Sequence, residues 1–380
     1  MRNPLAPTTF LIRNKGKSIP LIVVVMLAVM LVMGLVSMMN SIPLSIQTIY
    51  SYGRYSVAVS PRGDPSMTPK IVEKIRNKCP YPIERIILCR ASGTQVKSIV
   101  GKWPFVVFGM QPNDWDYYLK KLGSTGLVGR YPDPTKPEAI ISRPIAENLD
   151  LKIGSDLQNP ATQESYSPFP VKVVGIAQTD EWLILNGFEY QQANHFPPVD
   201  NVLVFAKDMV TQDKVDHWVR DTLKGERAQV FAFYILEKQT AEMFKILYRL
   251  LDIIIWALAL VITFMMGLLM NIYVTQRMIE FGLLQALGFT KQALLRRVLS
   301  ETGIVLLLGW SLGVLSAVGL LKLAKVILMD PNAFALNILD PISIRYTLPI
   351  PFAIAVVAGW TLTARFRQFD PVGVVERRVV

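Results

Sequence analysis

With 380 residues, 51% of them hydrophobic, and a mean hydropathy of +0.34, the chain carries more apolar surface than a soluble core of that size requires, so it reads as a membrane protein with a sizeable external domain. A formal net charge of +11 would suit a nucleic-acid binder, but the excess bases sit in three segments beside apolar runs, which excludes a phosphate-binding patch. Two histidines and two cysteines leave little from which to build a metal centre.

Residues 1–18 form a cytoplasmic lead-in in which Arg2, Arg13, Lys15 and Lys17 stand without an acid and Phe10-Leu11-Ile12 can lie on the inner membrane surface. Lys15-Gly16-Lys17-Ser18 brushes against a phosphate-loop pattern, but Leu11 occupies the position of its first glycine, so the motif is rejected. The apolar run 19–39 is long enough to cross ~30 Å of hydrocarbon. With no A-x-A cleavage pattern after it, it reads as a retained first transmembrane helix, taken as 19–40.

Residues 44–235 read as an extracytoplasmic α+β domain, because strand-like and helix-like segments alternate. Strands are expected at 57–60, 83–88, 139–142, 171–176, 202–205 and 230–234, with an extended stretch at 103–109. Helices are expected at 68–77, 144–149 and 212–223. Asp213, Asp216 and His217 in the last of these are read as a solvated face. Cys79 and Cys89 both fall in this domain, where a disulfide between them would stabilise by roughly 2–3 kcal/mol.

At residue 236 the pattern changes. Leu236, Thr240, Met243, Phe244 and Leu247 recur at helical spacing and lead into the apolar run 250–275 without a Gly or Pro. A helix over 236–275 would be ~60 Å long, twice the hydrocarbon thickness, so its first part is expected to project outward as a stalk. Residues 276–301, QRMIEFGLLQALGFTKQALLRRVLSE, form a polar-flecked elbow between two apolar runs. Arg277 and Glu280 share a helical face, Phe281, Leu283, Leu284 and Leu287 make a stripe beside them, and Gly288 suits a left-handed helix end. Lys291, Arg296 and Arg297 mark its side as cytoplasmic.

A third span at 302–327 is dotted with Gly303, Gly309, Gly313 and Gly319, which lets neighbouring helices come close. Lys322 and Lys325 near its outer end can snorkel to the headgroups. An external loop at 328–346 and a fourth span at 347–364 follow, with a basic cytoplasmic tail at 365–380 that includes Arg365, Arg367, Arg377 and Arg378. His195 and His217 lie on different elements, and neither G-x-S-x-G nor H-E-x-x-H occurs, so no catalytic or metal site is expected. Nor is there a complete nucleotide-binding motif: ATP hydrolysis, if it drives this chain, belongs to another subunit.

The elbow sequence Arg277-x-x-Glu280-Phe281-Gly282-Leu283-Leu284-Gln285-Ala286-Leu287-Gly288 resembles the R-x-x-E-I-G-I-L-R-A-L-G signature of FtsX/MacB-type ABC transporter permeases, and Glu301 matches an acidic residue usual at the start of their third span. The segment PEAIISRPIAENLDLKIGSDL at 137–157 looks like that family's periplasmic core, although Gly154-Ser155-Asp156 carries one inserted serine. Val173-Val174-Gly175-Ile176 matches a further strand, and the order of spans agrees throughout. The resemblance implies a type VII permease in the bacterial cytoplasmic membrane, with both termini cytoplasmic and paired with a second copy as a homodimer. Two copies of an ABC ATPase, which hold ATP and Mg, would dock on the elbows, with Arg277, Glu280, Phe281, Gly282, Leu283, Ala286, Leu287 and Gly288 as the coupling residues. No cofactor and no nucleic acid is expected on this chain; membrane lipid and a periplasmic or extracellular adaptor are the remaining expected partners.

The leading expectation is therefore a subunit that carries ATP-driven motion across the membrane to export an amphiphilic drug, peptide, lipid or lipoprotein. An FtsX-like transmitter that activates an extracytoplasmic cell-wall hydrolase without transport is the alternative, and a stand-alone membrane enzyme is disfavoured by the missing acid–base groups. An amphipathic connecting helix lying on lipid would also explain the elbow taken alone.

Overall fold

The structure, a computed structural model, describes residues 13–162, 167–194 and 199–367. The basic lead-in through residue 12, His195 and the tail from residue 368 lie outside the described residues. The chain divides into two compact units.

One unit is an α+β domain built from Ser41–Lys245 together with Val326–Leu336. Its strands are β1 (Val57–Ser60), β2 (Ile83–Ser98), β3 (Gly101–Met110), β4 (Leu127–Gly129), β5 (Glu138–Ser142), β6 (Asp156–Gln158), β7 (Val171–Ala177), β8 (Ile184–Gly187), β9 (Asn201–Ala206) and β10 (Gln229–Phe231). They form one mixed sheet in the order β10-β1-β9-β2-β3-β8-β5-β7-β4, with β6 also on β7; β3–β8 and β5–β7 are parallel and the other pairs antiparallel. The helices of this unit are α2 (Met67–Lys78), α3 (Pro112–Lys121), α4 (Arg143–Leu149), α5 (Phe188–Ala193) and α6 (Met209–Thr222), preceded in the chain by α1 (Lys15–Ile49).

The period of two along β9 sorts the core. Val202, Val204 and Ala206 pack with Ile71 and Ile75 of α2 and Val215 and Val219 of α6, whereas Leu203 and Phe205 pack with Tyr118 and Leu119 of α3. The same alternation goes against the possible disulfide. Cys89 is buried on the α3 face of β2, Cys79 packs at the edge of the opposite cluster, and both are free thiols. A second correction concerns α6: Asp213 and His217 are exposed, but Asp216 is buried and accepts a 2.7 Å hydrogen bond from Gln212 Nε2.

Elements absent from the sequence reading are α3, β4, β6, β8 and α5, and β2 extends ten residues beyond the expected end at residue 88 because β3 pairs with it from Cys89↔Met110 to Ser98↔Gly101. The strand expected over 230–234 stops at Phe231, since a helix begins at Phe233. Residues 328–346, expected as a loop, hold a 3₁₀ turn and a short helix. Asn148 ties that turn to the sheet domain: its amide donates to the carbonyls of Asn332 (2.8 Å) and Lys97 (3.1 Å).

The other unit is a helical bundle made of α1 up to Asn40, Ile246–Lys325, and the chain from Asn337 onward. It contains most of α7 (Phe233–Ala286), α8 (Lys291–Ala324), α9 (Pro341–Thr347) and α10 (Pro349–Arg367). Among the described residues, four helices are long and apolar enough to cross a membrane: 18–49, 233–276, 291–332 and 341–366. Their i, i+4 stripes make the shared core, with Val25, Val29 and Val32 of α1, Leu251, Ile255 and Ala259 of α7, Val298 and Val305 of α8, and Ile350, Ile354 and Ala358 of α10. Gly309 and Gly313 let α8 seat directly on α1: a Cβ added at either would fall 2.7 Å from Val25 Cβ or Val29 Cβ. Gly303 and Gly319 have open space around them, so the expected close approach is made by the middle pair of glycines.

At one end of the bundle Asp340 caps α9, accepting from the backbone of Ile342 and Ser343, and also accepts from Asn40 Nδ2 at 2.5 Å. Tyr346 donates to Asp252 at 2.7 Å nearby.

Candidate functional site: the elbow between α7 and α8

Helix α7 runs unbroken for 54 residues, ~80 Å at 1.5 Å per residue, and its last three turns are the first half of the predicted elbow. Along its expected stalk, Thr240 and Phe244 are buried, Leu236 and Leu247 are half-buried, and Met243 is exposed. The helix closes at Gly288, whose φ of +95° favours glycine, with Gly288 N–H donating to Gln285 O and Phe289 N–H to Leu284 O. Thr290 then caps α8, its hydroxyl accepting from Ala293 N–H at 3.3 Å.

Tyr273, Arg277 and Phe281 follow one another at intervals of four and so share the inward face of α7. Arg277 is 1% exposed, the second largest fully buried side chain among the described residues. Its Nη1 donates to Glu301 Oε2 at 2.5 Å and to Tyr273 Oη at 2.7 Å, while Nε and Nη2 reach the two oxygens of Glu280 at 3.0 and 3.2 Å. Tyr273 Oη donates to Glu301 at 3.1 Å, and Arg297 Nε donates to the other Glu301 oxygen at 3.2 Å. Arg277 also lies over the rings of Tyr273 and Phe281, at 5.1 and 4.9 Å. Two arginines thus face two glutamates, so the cluster is neutral as a whole, and the fork of the guanidinium meets carboxylates from both α7 and α8. Phe281 is sealed from water and meets the ring of Phe366 of α10 at a tilt, 5.3 Å between centroids.

The opposite face of the same turns is apolar and uncovered. Ile279, Leu283, Leu287 and Phe289 are 44%, 58%, 76% and 39% exposed, and Ala286 and Gly288 are exposed with them. The residues expected to meet an ATPase therefore separate by burial. Arg277, Phe281 and Gly282 lie inside the chain, Glu280 is half-buried at the border, and Leu283, Ala286, Leu287 and Gly288 face outward. Sequence reasoning passed over Tyr273 altogether and took Arg297 only as a marker of sidedness. A scan for partners at i−4 would have found both, since Tyr273 stands four before Arg277 and Arg297 four before Glu301. Chemically the arrangement offers no activated nucleophile or metal set; among the described residues no His/Cys/Asp/Glu group of three or more could hold a metal ion. It offers a stiff bracket that carries an apolar tip.

Two family models match the chain. The one described as FtsX-like permease C-terminal matches residues 253–371, and the one described as MacB-like periplasmic core domain matches residues 21–222. No curated protein matches. Similar solved structures include the periplasmic region of MacB from Actinobacillus actinomycetemcomitans, 10% identical with a TM-score of 0.27, which covers 51% of this chain and 95% of that one. The extracellular domain of the noncanonic ABC-type transporter YknZ from Gram-positive bacteria is 12% identical with a TM-score of 0.26, covering 46% and 99%.

Proposed function

This chain belongs to the FtsX/MacB-type permease family, a family of membrane transporter components, and from that premise we propose that it transmits ATP-driven motion from a separate ATPase across the membrane to its sheet domain. The chain acts as the permease subunit of a type VII ABC transporter and extrudes an amphiphilic substrate from the outer face. It works as a pair of copies with two ATPase subunits in the bacterial cytoplasmic membrane, with the elbow on the cytoplasmic side. The bases Lys291, Arg296 and Arg297 around the elbow support that sidedness.

The observation that carries the reading is the pairing of an exposed apolar tip with a buried ionic brace on the same three turns. Leu283, Leu287 and Phe289 present uncovered apolar surface suited to a pocket on a soluble partner. Arg277, held by carboxylates from both helices, keeps that tip from tilting independently of α7 and α8. The test is Leu287→Glu, which places a charge on the tip without touching the brace. Membrane abundance should stay at the wild-type level while co-purification with the ABC ATPase of the same organism falls at least about tenfold, a loss equal to ~1.4 kcal/mol. Wild-type amounts of ATPase on the Leu287→Glu chain would remove the elbow as the docking point.

A further inference from the structure

Between α7 and α10 the bundle surface carries a groove of about 420 Å3, inside the ~300–1,000 Å3 range usual for bound small molecules. Its floor is Gly267, where a Cβ would come within 3.3 Å of Val357, so the missing side chain is what opens the space. The ring of Phe264 on α7 and that of Trp360 on α10 form the walls and are 67% and 79% exposed. Toward the α7–α8 elbow the lining changes character. Asn271 and Arg365 border the groove there, about two helical turns beyond Phe264 and between one and two turns beyond Trp360.

Neither polar group is satisfied from within. The Asn271 Oδ1 atom is buried with no hydrogen-bond partner, which is costly in an apolar setting. Arg365 is exposed and makes no ion pair among the described residues. A groove that is mostly apolar between the rings of Phe264 and Trp360 and ends at an exposed guanidinium has the polarity of one anionic phospholipid: chain, then phosphate. Basic pockets between transmembrane helices take anionic headgroups in this way, and a guanidinium matches a phosphate through two parallel hydrogen bonds.

We propose that the groove between α7 and α10 is a binding site for one anionic phospholipid, its acyl chain between Phe264 and Trp360 and its phosphate on Arg365. The site is independent of the coupling reading, since nothing in it requires an ATPase. It does adjoin the elbow, because the ring of Phe366, the residue after Arg365, packs against that of Phe281.

The full chain, delipidated in neutral detergent, is titrated with short-chain phosphatidylglycerol and, separately, phosphatidylcholine of the same chains, and bound lipids are counted by native mass spectrometry. One phosphatidylglycerol should bind about tenfold more tightly than phosphatidylcholine. Arg365→Gln should lower that affinity about five- to tenfold, and Arg365→Lys, which keeps the charge but not the two parallel hydrogen bonds, should fall between Gln and the wild type. Phosphatidylglycerol with brominated chains should quench tryptophan emission in the wild type and distinctly less in Trp360→Phe, a readout that does not depend on the folding of any Arg365 variant. Equal affinity for the two lipids, no effect of Arg365→Gln, or quenching undiminished in Trp360→Phe would each overturn the proposal. So would glycerol phosphate binding as tightly as the intact lipid, because the acyl chain would then contribute nothing.

Discussion

In the sheet domain Arg85 pairs with Asp114 and Lys121 with Glu84, each at 2.5 Å and each with one partner more than a third exposed; in the helical bundle Arg277 and Glu301 pair at the same 2.5 Å with both side chains sealed from water. Equal distances carry unequal consequences. Pairs at a wetted rim contribute ~0–1 kcal/mol apiece and can be exchanged freely. A buried cluster has surrendered its hydration, so removing one partner leaves the other buried and unpaired. The sheet domain is thus fixed by its alternating apolar faces, and the α7–α8 junction by a small set of charges.

The most damaging way to test this contrast is to remove Arg277. Arg277→Ala leaves Glu301 buried without its closest cation, and a loss of ~3–5 kcal/mol is expected, read as a large drop in melting temperature of the purified chain. Arg85→Ala should lose less than ~1 kcal/mol. The double change Arg277→Met with Glu301→Leu removes the buried pair together and should recover most of the stability; if it melts as low as the single variant, the cluster is not what holds the junction.

Next in size is the seam between α1 and α8. Gly309→Val must displace Val25 and the carbonyl of Ile22, which lies 3.1 Å from the added Cβ, so ~1–3 kcal/mol is expected to be lost. Gly303→Ala, with open space around it, should stay within ~0.5 kcal/mol of wild type in the same melting assay.

A buried carboxylate in the sheet domain lacks the arginine that Glu301 has. Burial pushes Asp216 up to about 7, with Asp213 adding to the rise while Gln212 and His217 oppose it. Because the unfolded carboxyl ionises near ~3.9, the unfolded chain releases its proton first, and stability falls as pH rises from about 4 to about 7 and is level above. Asp216→Asn should therefore slow hydrogen exchange in β9 and α6 of the intact chain at pH 8, by an amount equal to ~1–2 kcal/mol, and make little difference at pH 4. A gain of the same size at both pH values would sink the assignment.

Smallest is the effect of reductant. With Cys79 and Cys89 on opposite faces of the sheet as free thiols, dithiothreitol should leave the melting temperature unchanged, and an alkylating agent should label the half-buried Cys79 well before Cys89.

The apolar helices were legible because ~20 unbroken apolar residues have few other uses, and so were strands such as β1, β7 and β9, whose hydrophobic residues cluster at short range. The far half of β2 was not. Arg90, Ser92, Gly93 and Thr94 look like a turn by composition, and only their pairing with β3 makes them a strand, which is a tertiary override of local preference. At the elbow, Arg277 with Glu280 could be read from spacing alone. That Glu301 completes the cluster depends on α8 folding back along α7, a contact 24 residues apart that no local pattern specifies. Burial divides the elbow for the same reason: sequence gives a helical face its composition but does not say which neighbour covers it.

The joint between α7 and α8 is only residues 287–290, clasped on one side by the left-handed Gly288 and on the other by the hydroxyl of Thr290. A linkage with so little play has no backlash. A load applied at Leu287 or Phe289 would pass into both helices together, with no slack loop in between to absorb it.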